Sequence, residues 1–189
     1  MANYTIISDV GNAIVSLLQE HMIPDVILNP ESIGLCSPEE RGNVILGVYL
    51  YDIRESEEYR NSTMVTMDAT RQKYPSSYLT LNYMITAYSN GDIKYRAIEE
   101  QKILGKVLQI LADYHTLDPV TLKPMERNGG AGLEIELQPL SHEDKQKIWS
   151  VPNKAYRLSL FFKVGPVELE SEKIREVQRV VDIDFVVKE

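Results

Sequence analysis

The ten residues VILGVYLYDI at positions 44–53 decide the fold. Valine, isoleucine and tyrosine suit a pleated, half-buried surface, so the run reads as a β-strand. Both of its alternating faces are largely apolar, the pattern of a central strand covered on two sides. A strand of that kind needs helices or a further layer against it, and the sequence on either side supplies them.

Upstream, Ile6, Val10, Ile14, Leu17 and Leu18 recur at spacings of three and four, with Ala13 beside them, which predicts an amphipathic helix ended by Pro24. Gly11 within it costs about 1 kcal/mol relative to alanine, so packing has to hold this helix. Residues 29–42 contain Pro30, Gly34 and Pro38 and read as a loop. Downstream, Arg54 to Tyr74 is polar and without periodicity, longer than most connections in a compact domain. Tyr78 to Tyr88 is a second strand, whose tyrosines at 78, 83 and 88 fall on alternating sides.

Asn90-Gly91 predicts a turn, with Asp92 capping a long helix from Ile93 to Tyr114. Ile103, Leu104, Val107, Leu108 and Leu111 form its apolar stripe. Thr116 to Gly132 is a flexible connection containing Pro119, Pro124 and Asn128-Gly129-Gly130. Leu133, Ile135 and Leu137 alternate with Glu134 and Glu136, a short strand with one wet face. Ser141 with Asp144 begins a short helix through Trp149, stopped by Pro152. Tyr156 to Val164 is another strand, and Pro166 interrupts it. The charged stretch 168–179 then leads to the alternating run Val181, Asp182, Ile183, Asp184, Phe185, Val186 and Val187. Strands in runs with segregated helices give an α+β class: one domain, residues 1–170, with a mixed, mostly antiparallel sheet packed by two long helices and one short one. Residues 171–189 form a C-terminal arm ending in a strand.

Composition narrows the function. The chain has 189 residues and a formal net charge of −8, with no basic run longer than two, so nucleic acid is a poor partner. Its single cysteine, Cys36, cannot form an internal disulfide and lies between Leu35 and Ser37 with no base adjacent, an ordinary small apolar residue. No basic leader precedes the first apolar residues, and no stretch approaches the ~20 apolar residues of a membrane span. The expectation is a cytoplasmic protein that does not engage membranes.

No metal, cofactor or catalytic pattern emerges. His21, His115 and His142 are scattered, and His21 and His115 sit where a helix end would favour them. The glycine-rich stretch 128–132 lacks the lysine and the following helix of a phosphate cradle. Glu134 and Glu136 share one strand face, where paired carboxylates can do acid–base work, although a solvated face is the plainer reading. Eleven tyrosines against three phenylalanines suit either half-buried strand packing or protein contacts.

Four ordered stretches resemble the tail-terminator, or cap, proteins of phage-tail-like extracellular contractile injection systems. They are YTIISDVGNAIVSLLQ, VYLYDIRESEEYRN, YPSSYLTLNYMITAYS with the later helix ILGKVLQILAD, and LEIELQPLSHEDKQKIWSVPNKAYRLSLFFKVGPVELES, together covering most of residues 4–171. The combination carries the likeness: the strand opened by Pro75, the Ile103-Leu104-Gly105 helix, the Pro139-Leu140-Ser141 helix start, Trp149, and Tyr156-Arg157-Leu158-Ser159. The resemblance implies a structural protein, not an enzyme, that forms a homo-hexameric ring closing the inner tube and contractile sheath. Its partners would be itself, the tube protein and the sheath protein, with no cofactor. It would assemble in the cytoplasm and leave in a particle released by lysis. Some relatives carry further C-terminal domains, which this chain would lack after its last strand. A tube–baseplate adaptor is the alternative reading, and an acidic hydrolase using Glu134 and Glu136 a distant one. Candidate interface residues are Arg54, Glu55, Tyr59 and Arg60 in the polar loop, and Val181, Ile183, Phe185 and Val187 in the arm. The arm strand pairs with a neighbouring subunit or with its own sheet.

Overall fold

A computed structural model describes residues 4–60, 62–117, 132–149 and 155–177. Helix α1 runs Ile6–Met22, α2 Arg96–Asp113 and α3 His142–Ile148. Six strands form the main sheet: β1 (Ile33–Leu35), β2 (Leu46–Glu55), β5 (Ser77–Ala87), β6 (Thr116–Leu117), β7 (Leu133–Leu137) and β8 (Ser159–Leu169). Their order is β1-β2-β5-β8-β7-β6, and among the described residues only the β1–β2 pair is parallel. Three short strands, β3 (Val65–Thr66), β4 (Arg71–Lys73) and β9 (Ile174–Glu176), make a second sheet in the order β3-β4-β9. This is the expected α+β domain with a mostly antiparallel mixed sheet.

The side-chain alternation of β5 divides the core. Leu81, Tyr83, Ile85 and Ala87 face α1 and α2, where they join Leu46, Val48, Phe162, Val164 and the buried faces of both helices. Met84 and Tyr88 face the other way and pack with Phe161 and Trp149, beneath Leu140 and Ile148 of the α3 region. Truncating a fully buried residue such as Leu18 or Ile85 to alanine would cost about 2–5 kcal/mol, since the site collapses only partly.

Several boundaries differ from the sequence reading, each for a local reason. The loop 29–42 contains β1, three residues held parallel to Leu46–Val48, too few to show a period. The stretch 54–74 is not structureless. It carries the β3–β4 hairpin, whose turn is tied by Asp68: its Oδ1 accepts from the N–H groups of Thr70 (2.9 Å) and Arg71 (2.8 Å). Helix α2 begins at Arg96. Asp92 instead caps the preceding turn, accepting from Lys94 N–H at 3.1 Å. On α2 the buried stripe takes Ile110 in place of Leu108, which lies on the flank.

Pro166 does not end its strand. Leu79 pairs with Val167 and Leu81 with Val164, so Gly165 and Pro166 together oppose Thr80 in a bulge, where the ladder needs no N–H from proline. Gly165 fits because a Cβ there would sit 3.1 Å from the Leu79 carbonyl oxygen. The strand therefore continues into the charged stretch, where β9 pairs with β4. Tyr74 N–H donates to the Lys173 carbonyl (3.0 Å) and the Lys73 ammonium meets Glu170 at 2.7 Å, which ties the small sheet to the end of the β5–β8 pair.

Candidate protein-contact face

The side of the sheet covered by α3 grades from apolar to charged along the strands. At one end lie Met84, Tyr88, Phe161 and Trp149. Their cover depends on α3, whose Ser141 cap accepts from Asp144 N–H at 3.1 Å, as the sequence predicts.

A bulge in β2 builds the middle of the face. Leu50 pairs with Tyr83 and Asp52 with Asn82, leaving Tyr51 as the extra residue. The bulge turns both Tyr51 and Asp52 toward α3. Tyr51 packs edge-on to Phe161 and its hydroxyl donates to Gln138 Oε1 at 2.6 Å. Gln138 Nε2 donates to Asn82 Oδ1 at 2.6 Å, and Asn82 Nδ2 to Asp52 Oδ2 at 3.4 Å. Asn82 is only 3% exposed, so this chain satisfies an amide that would otherwise be stranded in the sheet. Burial first, and the Asp52 carboxylate second, push the Tyr51 phenol above its ordinary range.

The far end is open. Arg54 Nε donates to Asp52 Oδ2 at 2.6 Å, which anchors the guanidinium and reinforces its charge while leaving most of it in solvent. Beside it, a shallow cavity of about 270 Å³ is lined by Glu58, Tyr59, Thr80, Glu134, Glu136 and Lys163, among others. Lys163 Nζ meets Glu136 Oε2 at 2.9 Å. Glu134 and Glu136 thus do share a face, and a lysine sits with them. An exposed pair of this kind contributes little to stability, but it fixes a pattern of charge on the surface.

Of the predicted interface residues, Arg54 and Tyr59 reach this open end. Tyr59 lies against Tyr78 with ring centroids 5.9 Å apart. Glu55, paired with Leu79, points to the opposite side of the sheet, and Arg60 is exposed in the following turn. Val181, Ile183, Phe185 and Val187 lie outside the described residues. The sequence reading missed Asp52, Asn82, Gln138 and Lys163. One signal was available: Asn82 is a polar residue inside the apolar run LTLNYMIT, and a buried amide must find partners.

Elsewhere, burial raises the Cys36 thiol above its usual pKa against the weaker pull of Arg41, in keeping with an inert apolar residue. His21, in the last turn of α1, stacks on Tyr114 at 4.3 Å. Among the described residues no group of three or more His, Cys, Asp or Glu could hold a metal, and no helix is long and apolar enough to cross a membrane.

Fold and face together define an α+β domain whose α3 side carries an open surface of tyrosine, arginine and paired charge. The chain belongs to the Pvc16 N-terminal domain family, whose model matches residues 9–183. Its fold is similar to that of the sheath/tube terminator of the PVC extracellular contractile injection system in the extended state, with a TM-score of 0.66 at 20% identity, over 97% of this chain and 63% of that one. It is also similar to the tube-terminating cap of the anti-feeding prophage, with a TM-score of 0.64 at 21% identity, over 95% of this chain and 61% of that one. The chain therefore spans less than two thirds of the length of either structure. A search of curated proteins gives no match.

Proposed function

We propose that this chain is a structural terminator of a contractile injection particle, a homo-hexameric cap on the distal end of the inner tube and its sheath. The observation that carries the reading is the coincidence of family and fold: nearly the whole chain follows the fold of a sheath/tube terminator, within the family whose model it matches. The physical logic is that a tube of stacked rings is a head-to-tail polymer with an unsatisfied face at its growing end. A terminator has to match that face on one side and refuse the next ring on the other, which calls for shape and charge rather than an active site. Its partners in this reading are copies of itself, the tube protein and the sheath protein. It acts without enzymatic activity, is made in the cytoplasm, and leaves with the particle on lysis.

In this reading the Arg54–Tyr59 face is one of the contact surfaces of the ring. Deleting the gene tests the reading. Particles of uncontrolled or aberrant length are the expected result. Complete failure to start tubes would identify a tube–baseplate adaptor instead, and particles of normal length with closed ends would refute termination.

A further inference from the structure

The small sheet β3-β4-β9 is a layer without a core. Val65 pairs with Lys73 and Lys73 with Ile174, so these three share one face, and Met67 follows Val65 on it. Thr66, Gln72 and Arg175 share the other face. Val65, Met67 and Ile174 are 54%, 52% and 48% exposed, and no residue of the three strands is buried. None of them joins either apolar cluster of the body. A small sheet stands by itself only when it puts a hydrophobic face out of water, and here neither face is covered. What holds the hairpin is local: the Asp68 turn and its ion pair with Arg71 at 2.7 Å.

The junction with the body is narrow. β5–β8 pairing ends at Ser77 with Leu169, and β4–β9 pairing begins at Lys73 with Ile174. Between them lies Pro75, which has no N–H to give to a ladder. The gap is bridged by the Tyr74 N–H on the Lys173 carbonyl and by the Lys73 ammonium on Glu170. The Lys173 ammonium also sits over the Tyr74 ring, 4.6 Å from its centroid. The side chains of Lys73 and Glu170 are only 26% and 18% exposed, so solvent screens this pair less than a surface pair.

We infer that the β3-β4-β9 sheet is a flap, latched to the body by Lys73, Tyr74, Glu170 and Lys173, that opens as one unit while the main sheet stays folded. Regions with few buried apolar contacts open at free energies well below that of global unfolding. Opening this flap exposes almost no new apolar surface, so the hydrophobic term that holds α1 and α2 on the main sheet does not oppose it. The β4–β9 ladder parts, and the six-stranded sheet with both of its clusters is left intact. The domain thus has two shapes at this end, one latched and one open. The inference needs neither a ring nor a partner and stands apart from the terminator reading.

Native-state amide exchange followed by NMR on the full chain tests it. The flap reporters are the N–H groups of Met67, Tyr74 and Val177, which donate to the carbonyls of Arg71, Lys173 and Thr70. The body reporters are the amides of Leu81–Ala87 in β5. The expected result is one shared opening for the three flap amides, with protection about 100-fold or more below that of β5. Lys73→Gln cuts the latch and should lower flap protection roughly two- to fivefold while leaving β5 protection and Tm unchanged. Flap amides protected as strongly as β5 overturn the inference, because the small sheet then opens only with the whole domain. Flap amides with no protection overturn it as well, since nothing would be latched. A Lys73→Gln chain whose flap protection is unchanged, or whose β5 protection falls in step, removes the latch and with it the proposal.

Discussion

Replacing Gln138 with alanine removes the link that joins Tyr51 to Asn82. Both of its hydrogen bonds are 2.6 Å long, and they hold two side chains that the β2 bulge and the interior of β5 bring to the same face. The Tyr51 hydroxyl is only partly buried and can turn to water, so its loss costs little. Asn82 has no such escape at 3% exposure, and it keeps only the 3.4 Å bond to Asp52. A buried polar group stripped of its partner costs about 1–3 kcal/mol, so a loss near 2 kcal/mol is expected. For a domain of this size that lowers Tm by roughly 4–8 °C. Calorimetry or urea unfolding measures it. A double-mutant cycle with Asn82→Ala isolates the pair, because the two residues share one network and should not be additive. The double apolar variant Asn82→Leu with Gln138→Leu should recover most of the loss, since no amide is then left unpaired. A loss below about 0.5 kcal/mol for Gln138→Ala, the scale of a neutral surface change, together with no coupling, would show that the chain of amides does not organise this face.

Tyr83→Phe removes a buried hydroxyl that has no partner among the described residues. It should leave the isolated chain unchanged or more stable by up to about 1 kcal/mol, whereas a loss of that size in thermal unfolding would reveal a hidden partner. Ser141→Ala removes the α3 cap and should cost about 1 kcal/mol, read by thermal unfolding and by a change in Trp149 fluorescence; an unchanged Tm would mean that α3 is held by packing alone. Backbone and side-chain bonds from Thr70 and Arg71 lower the Asp68 carboxyl to about 2, from an ordinary 3.8. Because the folded value is depressed, its support for the β3–β4 turn is complete above the ordinary value and disappears as pH falls toward 2. A carboxyl titration by NMR with a midpoint near 3.8 would contradict that geometry.

Long periodic elements were legible in the sequence because their signal repeats. α1, β5 and α3 follow directly from apolar spacing and a capping serine. β2 was found as a strand, but its bulge was not, since nothing in the run VYLYDI marks Tyr51 as the extra residue; the mismatch exists only against β5. β1, β3, β4 and β9 have two or three residues each, shorter than any period, and tertiary pairing makes them strands. Pro166 reads as a breaker in isolation and is accommodated because Gly165 lets the backbone approach Leu79. The site was half visible for the same reasons. Arg54 and Tyr59 stand out as polar residues after a strong strand, but Asp52, Gln138 and Lys163 become neighbours only once the sheet order is known.

Electron microscopy of intact particles carrying this protein tests the terminator reading most directly. The expected result is a terminal layer of six copies closing the distal end of tube and sheath, with the chain found nowhere else along the particle. A terminal layer lacking the chain, a different copy number, or the chain placed at the baseplate end would contradict it.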